Sequence, residues 1–406
     1  MTTSTLAISI RPGSPDFLDL PWDYPFLQWS ERCTRLEEVP RGLSRHPVVF
    51  VNYSGSLFAL KELPSGVAAE EYDLLREINE LHLPAVRPIG HADLTNPWGH
   101  TSVLITQYLD YSVPYRSLVI QSGPAMLQDK LLDAMAGLLV QLHLAGVYWG
   151  DCSLSNTLFR RDAGMLQAYL VDAETAQVHP HITPSLRHDD LEIMEENING
   201  DLADLVVSEL LPASFPVFDT GTSIRKRYKG LWEEITREEI IAPNERFRIQ
   251  ERIRALNALG FSVGELEIRT TENGEKLSMR ALVTDRNFHR DQLHSLTGVV
   301  TEEMQARKLM NEIQELKASL SKEHNRSTPM SAAAFQWLER LYQPAIQRLQ
   351  PVIKRRSADP AEIYCELLEH KWYLSEKAQR DVGHNHAIQD YLDRFMTRDP
   401  DELPGK

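Results

Sequence analysis

The sequence predicts an α+β protein built from more than one compact unit, and three observations carry that prediction. Two β-rich runs, HPVVFV and SLFALKEL, fall close together between residues 46 and 63. A long helical pattern, AMLQDKLLDAMAGLLVQLHLAG, follows from residue 125. Beyond about Arg225 the chain starts a second mixture, one strand pair and then several long helices. With 406 residues the chain exceeds what one hydrophobic core ordinarily serves.

Taken in order, residues 1–28 hold Pro12, Pro15, Pro21 and Pro25 among aromatic and acidic residues, which predicts an irregular extension packed on the body. The runs HPVVFV and SLFALKEL are joined by NYSGS, a hairpin signal. GVAAEEYDLLREINELHLP places Leu74, Leu75, Ile78 and Leu81 at helical spacing, with Pro84 as the stop. TSVLITQYL reads as a further strand. In the long helical pattern Leu127, Leu131, Leu132, Met135, Leu138, Leu139 and Leu142 line one face, and Gly146 lies where a helix end favours glycine. A polar loop follows, then two short strands in NTLFRR and QAYLVDAE, then helical LEIMEENI and GDLADLVVSELL. LPASFPVFDTGTS, with two prolines and a glycine, is the best boundary signal. Past it, FSVGELEIRT and KLSMRALVT flank TENGE, a second hairpin signal. Helices are expected over 301–321, over 331–349 and from Asp359-Pro360, where Asp can cap and Pro suits a first turn. The expected divisions are 1–28, 29–109, 110–224 and 225–406.

The bulk chemistry narrows the function. A composition of 42% hydrophobic and 25% charged residues is that of a globular protein. A formal net charge of −15 disfavours nucleic acid as the main partner, because neutralising phosphates takes a broadly positive surface. The basic clusters at Arg225, Lys226, Arg227, Lys229 and at Lys354, Arg355, Arg356 read as solvated faces. Cys33, Cys152 and Cys365 form no CxxC pair, so neither a disulfide framework nor a cysteine zinc site is expected, and a reducing cytoplasm fits. No basic leader precedes the first apolar run, so no secretory signal is expected. No apolar stretch reaches the roughly 18–20 residues of a membrane span; AMAGLLVQLHLAGVYW is broken by Gln141 and His143.

The segment LHLAGVYWGDCSLSNTLF sets Asp151 five residues before Asn156 in a short loop between apolar runs. Such residues also shape ordinary turns. LVDAE, at the end of the second short strand, adds Asp172 and Glu174. In SLFALKEL, strand alternation puts Ala59 and Lys61 on one face, although a lysine at a strand end is often a plain edge charge. The helix after it offers Glu70, Glu71 and Glu77 as partners for that lysine.

In this order, over roughly residues 30–210, these motifs resemble the protein-kinase-like fold: a bilobal domain with a small β-rich N-lobe and a helical C-lobe, here followed by a mostly helical α+β C-terminal domain. The resemblance implies roles. Lys61, with Glu71 as its best-placed partner, would position nucleotide phosphates. Ala59 would lie over an adenine ring, and Asp151 would act as base or orient an acceptor hydroxyl. Asn156 and Asp172 would hold Mg²⁺, with Glu174 a further oxygen ligand or the partner of a nearby base. ATP and Mg²⁺ are the implied cofactors. The D-x-E ending is closer to small-molecule kinases. The chain looks most like the lipopolysaccharide-kinase (Kdo kinase and WaaP-like) branch, specifically bacterial, chiefly actinobacterial, proteins carrying a C-terminal domain of unknown function.

Two departures stand out. The phosphate loop expected in VPRGLSRHP has Gly42 alone, with Arg41, Ser44 and Arg45 as side-chain substitutes. Trp149 stands where the resemblance implies a histidine two residues before the loop Asp, and Gly150 between them is as in the small-molecule kinases. Cys152 reads as structural, because a neighbouring carboxylate raises a thiol pKa. His370, His384 and His386 make no metal-ligand pattern. The implied activity is transfer of a γ-phosphoryl group to a hydroxyl of an unidentified small-molecule, sugar-lipid or protein acceptor. The alternative is a pseudokinase, a nucleotide-binding scaffold without turnover. A protein partner through the C-terminal unit is left open.

Overall fold

The structure, a computed structural model, describes residues 5–39, 45–122, 129–242, 245, 247–270, 277–283 and 285–397. It forms two compact units. One takes residues 1–159 and 168–229, the other residues 160–167 and 230–406.

The first unit begins with an antiparallel sheet of five strands, β1 (Thr5–Ile10), β2 (Val48–Tyr53), β3 (Ser56–Pro64), β4 (Pro88–Asn96) and β5 (Gly99–Gln107), in the spatial order β1-β4-β5-β3-β2. Strand β1 corrects the expectation of an irregular extension. The prolines start only at Pro12, and TLAISI before them alternates, with Leu6, Ile8 and Ile10 packed on the core and the residues between them exposed. Strand β4 carries little sequence signal, because Pro88, Gly90, Asp93 and Asn96 are poor strand formers. Gly90 is required there: a Cβ would lie 2.2 Å from the Ser9 carbonyl oxygen of β1. The rest of the N-terminal segment does pack on the body, as Phe17, Leu20, Trp22, Phe26 and Trp29 are buried with Phe58 and Leu60 of β3. That core fixes the face of β3: with Phe58 and Leu60 turned into it, Ala59 and Lys61 point the opposite way. Helix α1 (Val67–Glu80) contacts β3, β4 and β5.

A two-residue strand β6 (Val113–Pro114) and helix α2 (Tyr115–Ser122) lead to helix α3 (Lys130–Leu144). Leu127 lies outside the described residues; the other predicted face residues of α3 are all buried. So are Ala134, Ala136, Gly137, Val140, Gln141 and His143, so α3 is enclosed on every side from Ala134 to His143, although Asp133 in its first turn is exposed. Two-residue strands β7 (Val147–Tyr148) and β10 (Gln177–Val178) pair with each other. Between them in sequence lie β8 (Thr157–Asp162) and β9 (Met165–Leu170), which with β6 make a three-stranded sheet in the order β6-β8-β9. The two helical patterns after Asp190 are one helix, α4 (Pro184–Val207), capped by the Thr183 side chain, which accepts from Leu186 N at 3.2 Å. Gly200 does not break it, because the buried stripe Leu191, Met194, Ile198, Leu202, Leu205 runs straight through. Pro212 and Pro216 confine the irregular chain, and α5 (Val217–Thr236) starts directly after them.

The second unit holds a three-stranded antiparallel sheet of β11 (Glu239–Ile241), β12 (Val263–Thr270) and β13 (Leu277–Val283), in the order β11-β13-β12. Thr270 pairs with Leu277; the TENGE turn itself lies outside the described residues. Helix α6 (Phe247–Ala258) packs on β12 and β13. Helices α7 (Phe288–Thr297), α8 (Glu303–Glu323), α9 (Met330–Trp337), α10 (Gln343–Arg356), α11 (Pro360–Ala378) and α12 (Gly383–Thr397) follow. Their core contains Leu309, Ile313, Trp337, Leu349, Tyr364 and Tyr391. The helix expected over 331–349 runs from 330 to 356 through a π turn at Leu338–Tyr342. Pro344, which has no N–H to return to Arg340, follows that widened turn. Asp359 caps α11 by accepting from Ala361 N at 3.0 Å.

Candidate active site

The opposite face of β3 turns Lys61 toward α1. Its ammonium lies 3.3 and 3.1 Å from the two carboxylate oxygens of Glu71 and 2.7 Å from Asp172 Oδ2. Glu71 is buried, while Glu70 and Glu77 are exposed, so the helix resolves the choice among the three acids. One cation thus serves two carboxylates. Burial works against the charge on Lys61, but Glu71 and Asp172 outweigh it and hold the lysine pKa above its ordinary value. Burial first, and then the charge of Asp172, pushes Glu71 up to about 7, against the pull of Lys61 and of the Ala173 N–H that Glu71 accepts at 3.2 Å.

Asp172 stands just past β9, and its Oδ1 accepts from Glu174 N at 3.1 Å. The Glu174 carboxylate turns elsewhere, 3.9 Å from His46, the nearby base. Asp151 and Asn156 meet directly: Asn156 Nδ2 donates to Asp151 Oδ2 at 2.9 Å and to the Asp151 carbonyl at 3.1 Å. The two pairs are tied by short backbone links. Val171 N donates to the Asn156 carbonyl at 3.1 Å, and the Trp149 indole N–H donates to the Asp172 carbonyl at 2.9 Å. Trp149 is fully buried. Gly150 has φ +74°, and a Cβ there would meet the Tyr148 ring at 2.9 Å and the Thr175 carbonyl at 3.1 Å. Cys152 is enclosed, its thiol pKa raised by burial and then by Asp190 and Asp151, which fits a structural residue.

Three residues of α4 escape a reading by motif. Asp190, fully buried, accepts from Trp149 N at 2.8 Å and Gly150 N at 2.9 Å, and meets His143 Nε2 at 3.0 Å. Asn197 Nδ2 donates to Asp151 Oδ1 at 2.8 Å. Asp201 accepts from Ser155 N at 3.0 Å and from the Ser155 hydroxyl. The available signal is polar residues standing beside a buried apolar stripe of a helix, where solvated positions are not expected.

Ala59 is half-buried on the same face as Lys61. Gly42, Arg41 and Ser44 lie outside the described residues. His370 meets Asp390 and His384 meets Glu312, and among the described residues no group of three His, Cys, Asp or Glu side chains converges as a metal cage. No described helix is long and apolar enough to cross a membrane.

Comparison with known proteins gives family matches to two stretches of the chain. No curated protein matches the chain. A solved structure described as "WaaP in complex with acyl carrier protein" aligns at 15% identity and a TM-score of 0.36, over 62% of this chain and 98% of that one. Residues 53–210 match the lipopolysaccharide kinase (Kdo/WaaP) family, and residues 230–396 match a domain of unknown function, DUF4032. The chain is thus similar to the lipopolysaccharide kinase (Kdo/WaaP) family over the stretch that contains Lys61, Glu71, Asp151, Asn156 and Asp172, and to DUF4032 over the stretch that follows.

Proposed function

We propose that the first unit is an ATP- and Mg²⁺-dependent phosphotransferase that moves the γ-phosphoryl group to a hydroxyl acceptor. The observation that carries this reading is the Lys61 ammonium held between Glu71 and Asp172, beside a loop in which Asp151 and Asn156 are bonded to each other. Phosphoryl transfer asks a protein for little covalent chemistry; it asks for placed charges. Lys61 is already desolvated and kept charged, so it can exchange a carboxylate for nucleotide phosphates. Ala59, a small residue on the same face, would lie against a flat base.

The donor set fits a magnesium ion. Asp172 supplies a carboxylate and Asn156 an amide oxygen, since its Nδ2 is turned to Asp151. Two hard oxygen ligands, the remainder coming from phosphates and water, are what Mg²⁺ takes in such sites. When bound it would neutralise charge on the transferred group's oxygens. Asp151 would orient the acceptor hydroxyl and take its proton. Glu174 is assigned no metal contact, because its carboxylate faces His46.

ATP with Mg²⁺ at 100-fold excess over Kd should raise the melting temperature by roughly 5–10 °C. Asp172→Ala should abolish that shift, and its persistence would overturn the nucleotide reading. Release or transfer of γ-phosphate should fall by at least about a hundredfold in Asp151→Asn. ATP binding with no turnover in the wild type would instead favour the nucleotide-binding scaffold, the reading suited to a Lys61 and Asp172 that bind each other.

A further inference from the structure

Helix α4 meets the 149–155 loop three times, and the contacts fall on one line. Asp190, Asn197 and Asp201 are separated by seven and then four residues, which at 3.6 residues per turn keeps all three within about 20° of a common stripe. Asp190 and Asp201 hold the loop's frame, by the backbone N–H groups of Trp149 and Gly150 at one end and Ser155 at the other. Asn197 differs from both, because its partner is the Asp151 carboxylate itself, at 2.8 Å.

Asp151 therefore receives two amide donors on opposite oxygens, Asn197 on Oδ1 and Asn156 on Oδ2. One contact would leave the carboxylate able to turn about its Cβ–Cγ bond; two fix its plane. The chemical type also fits. A lysine or arginine at position 197 would pair with Asp151 and quench its charge, and an acid would repel it. A neutral amide orients the group and leaves its charge for the acceptor.

We infer that Asn197 is a positioning residue for phosphoryl transfer, locking the Asp151 carboxylate in the one orientation from which it meets the acceptor hydroxyl. This rests on Asp151 being the group that orients the acceptor.

The test uses the full-length protein, Mg²⁺ and ATP labelled at the γ-phosphate, with water standing in for the acceptor, in wild type, Asn197→Leu, Asp151→Asn and the double variant. Asn197→Leu should lower kcat by about 10- to 100-fold while leaving KM for ATP within about twofold. In the Asp151→Asn background the same substitution should change the residual kcat by less than about twofold, because the carboxylate it serves is gone. Asn197→Asp, nearly the same size, should cost at least as much as Asn197→Leu by setting a like charge against Asp151. It carries the cycle if the leucine variant melts early. An active wild type and a weakened Asp151→Asn, with Asn197→Leu and Asn197→Asp at full kcat, would overturn the role of Asn197 alone. Equal losses in both backgrounds would do the same, by making the effect one of helix packing. A wild type without turnover, or Asp151→Asn as active as wild type, would overturn the reading of Asp151 and this inference with it.

Discussion

Two regions of the molecule bury carboxylates and satisfy them in opposite ways. In the first unit, Glu71 and Asp172 share the end of one flexible lysine. In the second unit, Glu362 accepts from Ala163 N at 2.6 Å, Gly164 N at 2.9 Å and the Gln305 amide at 3.0 Å, while Asp162 accepts from Met304 N at 3.1 Å and Gln305 N at 2.8 Å at the start of α8. Backbone amides are fixed where the fold puts them, so Glu362 and Asp162 have nowhere else to turn. An ammonium on a four-carbon stem can leave one anion for another. The difference separates carboxylates that hold a structure together from carboxylates that can release their partner to a ligand.

The largest expected effect follows from the fixed kind. Glu362→Leu leaves the backbone N–H groups of Ala163 and Gly164 without their acceptor, while the Gln305 amide keeps the Arg161 carbonyl and Asp359, and should cost about 3–5 kcal/mol of unfolding free energy in urea. Hydrogen exchange at Ala163 and Gly164 should speed up with it. A loss below about 1 kcal/mol would break the contrast.

Asp162 gives a pH signature of similar origin. Burial, and then the charge of Glu302, pushes its pKa up to about 7. The folded protein then holds a proton that the unfolded chain, with its Asp near 3.8, gives up earlier. The unfolded state is therefore favoured as pH climbs between those values: this contribution to stability is full below about pH 4 and lost by about pH 7, to a total on the order of 4 kcal/mol. Urea melts of wild type and Asp162→Asn between pH 4 and 8 should show a shallower decline in the variant.

Removing the movable partner should cost less. In Lys61→Met the Glu71 carboxyl, already raised by burial and by Asp172, can keep a proton instead of standing as a bare charge. A destabilisation of about 1–2 kcal/mol at pH 6, larger at pH 8, is expected from the same melts. A loss at pH 6 matching that of Glu362→Leu would erase the distinction drawn between the two regions. The smallest effect belongs to Glu174→Gln. That side chain is 42% exposed and its nearest base is 3.9 Å away, so the melting temperature should move by no more than about 1 °C.

What was legible in the sequence tracks how local each feature is. The strand alternation of SLFALKEL places Ala59 and Lys61 on one face, and the structure keeps that face. The spacing of Asp151 and Asn156 needs only one loop, and the two side chains are bonded to each other. Strand β4 is not legible, because its residues owe their conformation to pairing with β1 and β5 rather than to their own preferences. The enclosure of α3 is hidden for a related reason: small residues such as Ala134, Ala136 and Gly137 look indifferent until neighbours close over them. Asp190, Asn197 and Asp201 lie about 40 residues past the loop they grip, and no local rule links a helix side chain to a backbone N–H that far upstream.

The straight row of grips along α4 also makes the loop sensitive to helical phase. One residue inserted between Asp190 and Asn197 would swing everything after it by about 100° around the axis, enough to carry Asn197 and Asp201 off the loop together while Asp190 stayed in place. Insertions of a single residue in that two-turn interval should thus be far less tolerated than point substitutions on the helix's outer side, and the interval behaves as a ruler whose length the loop has set.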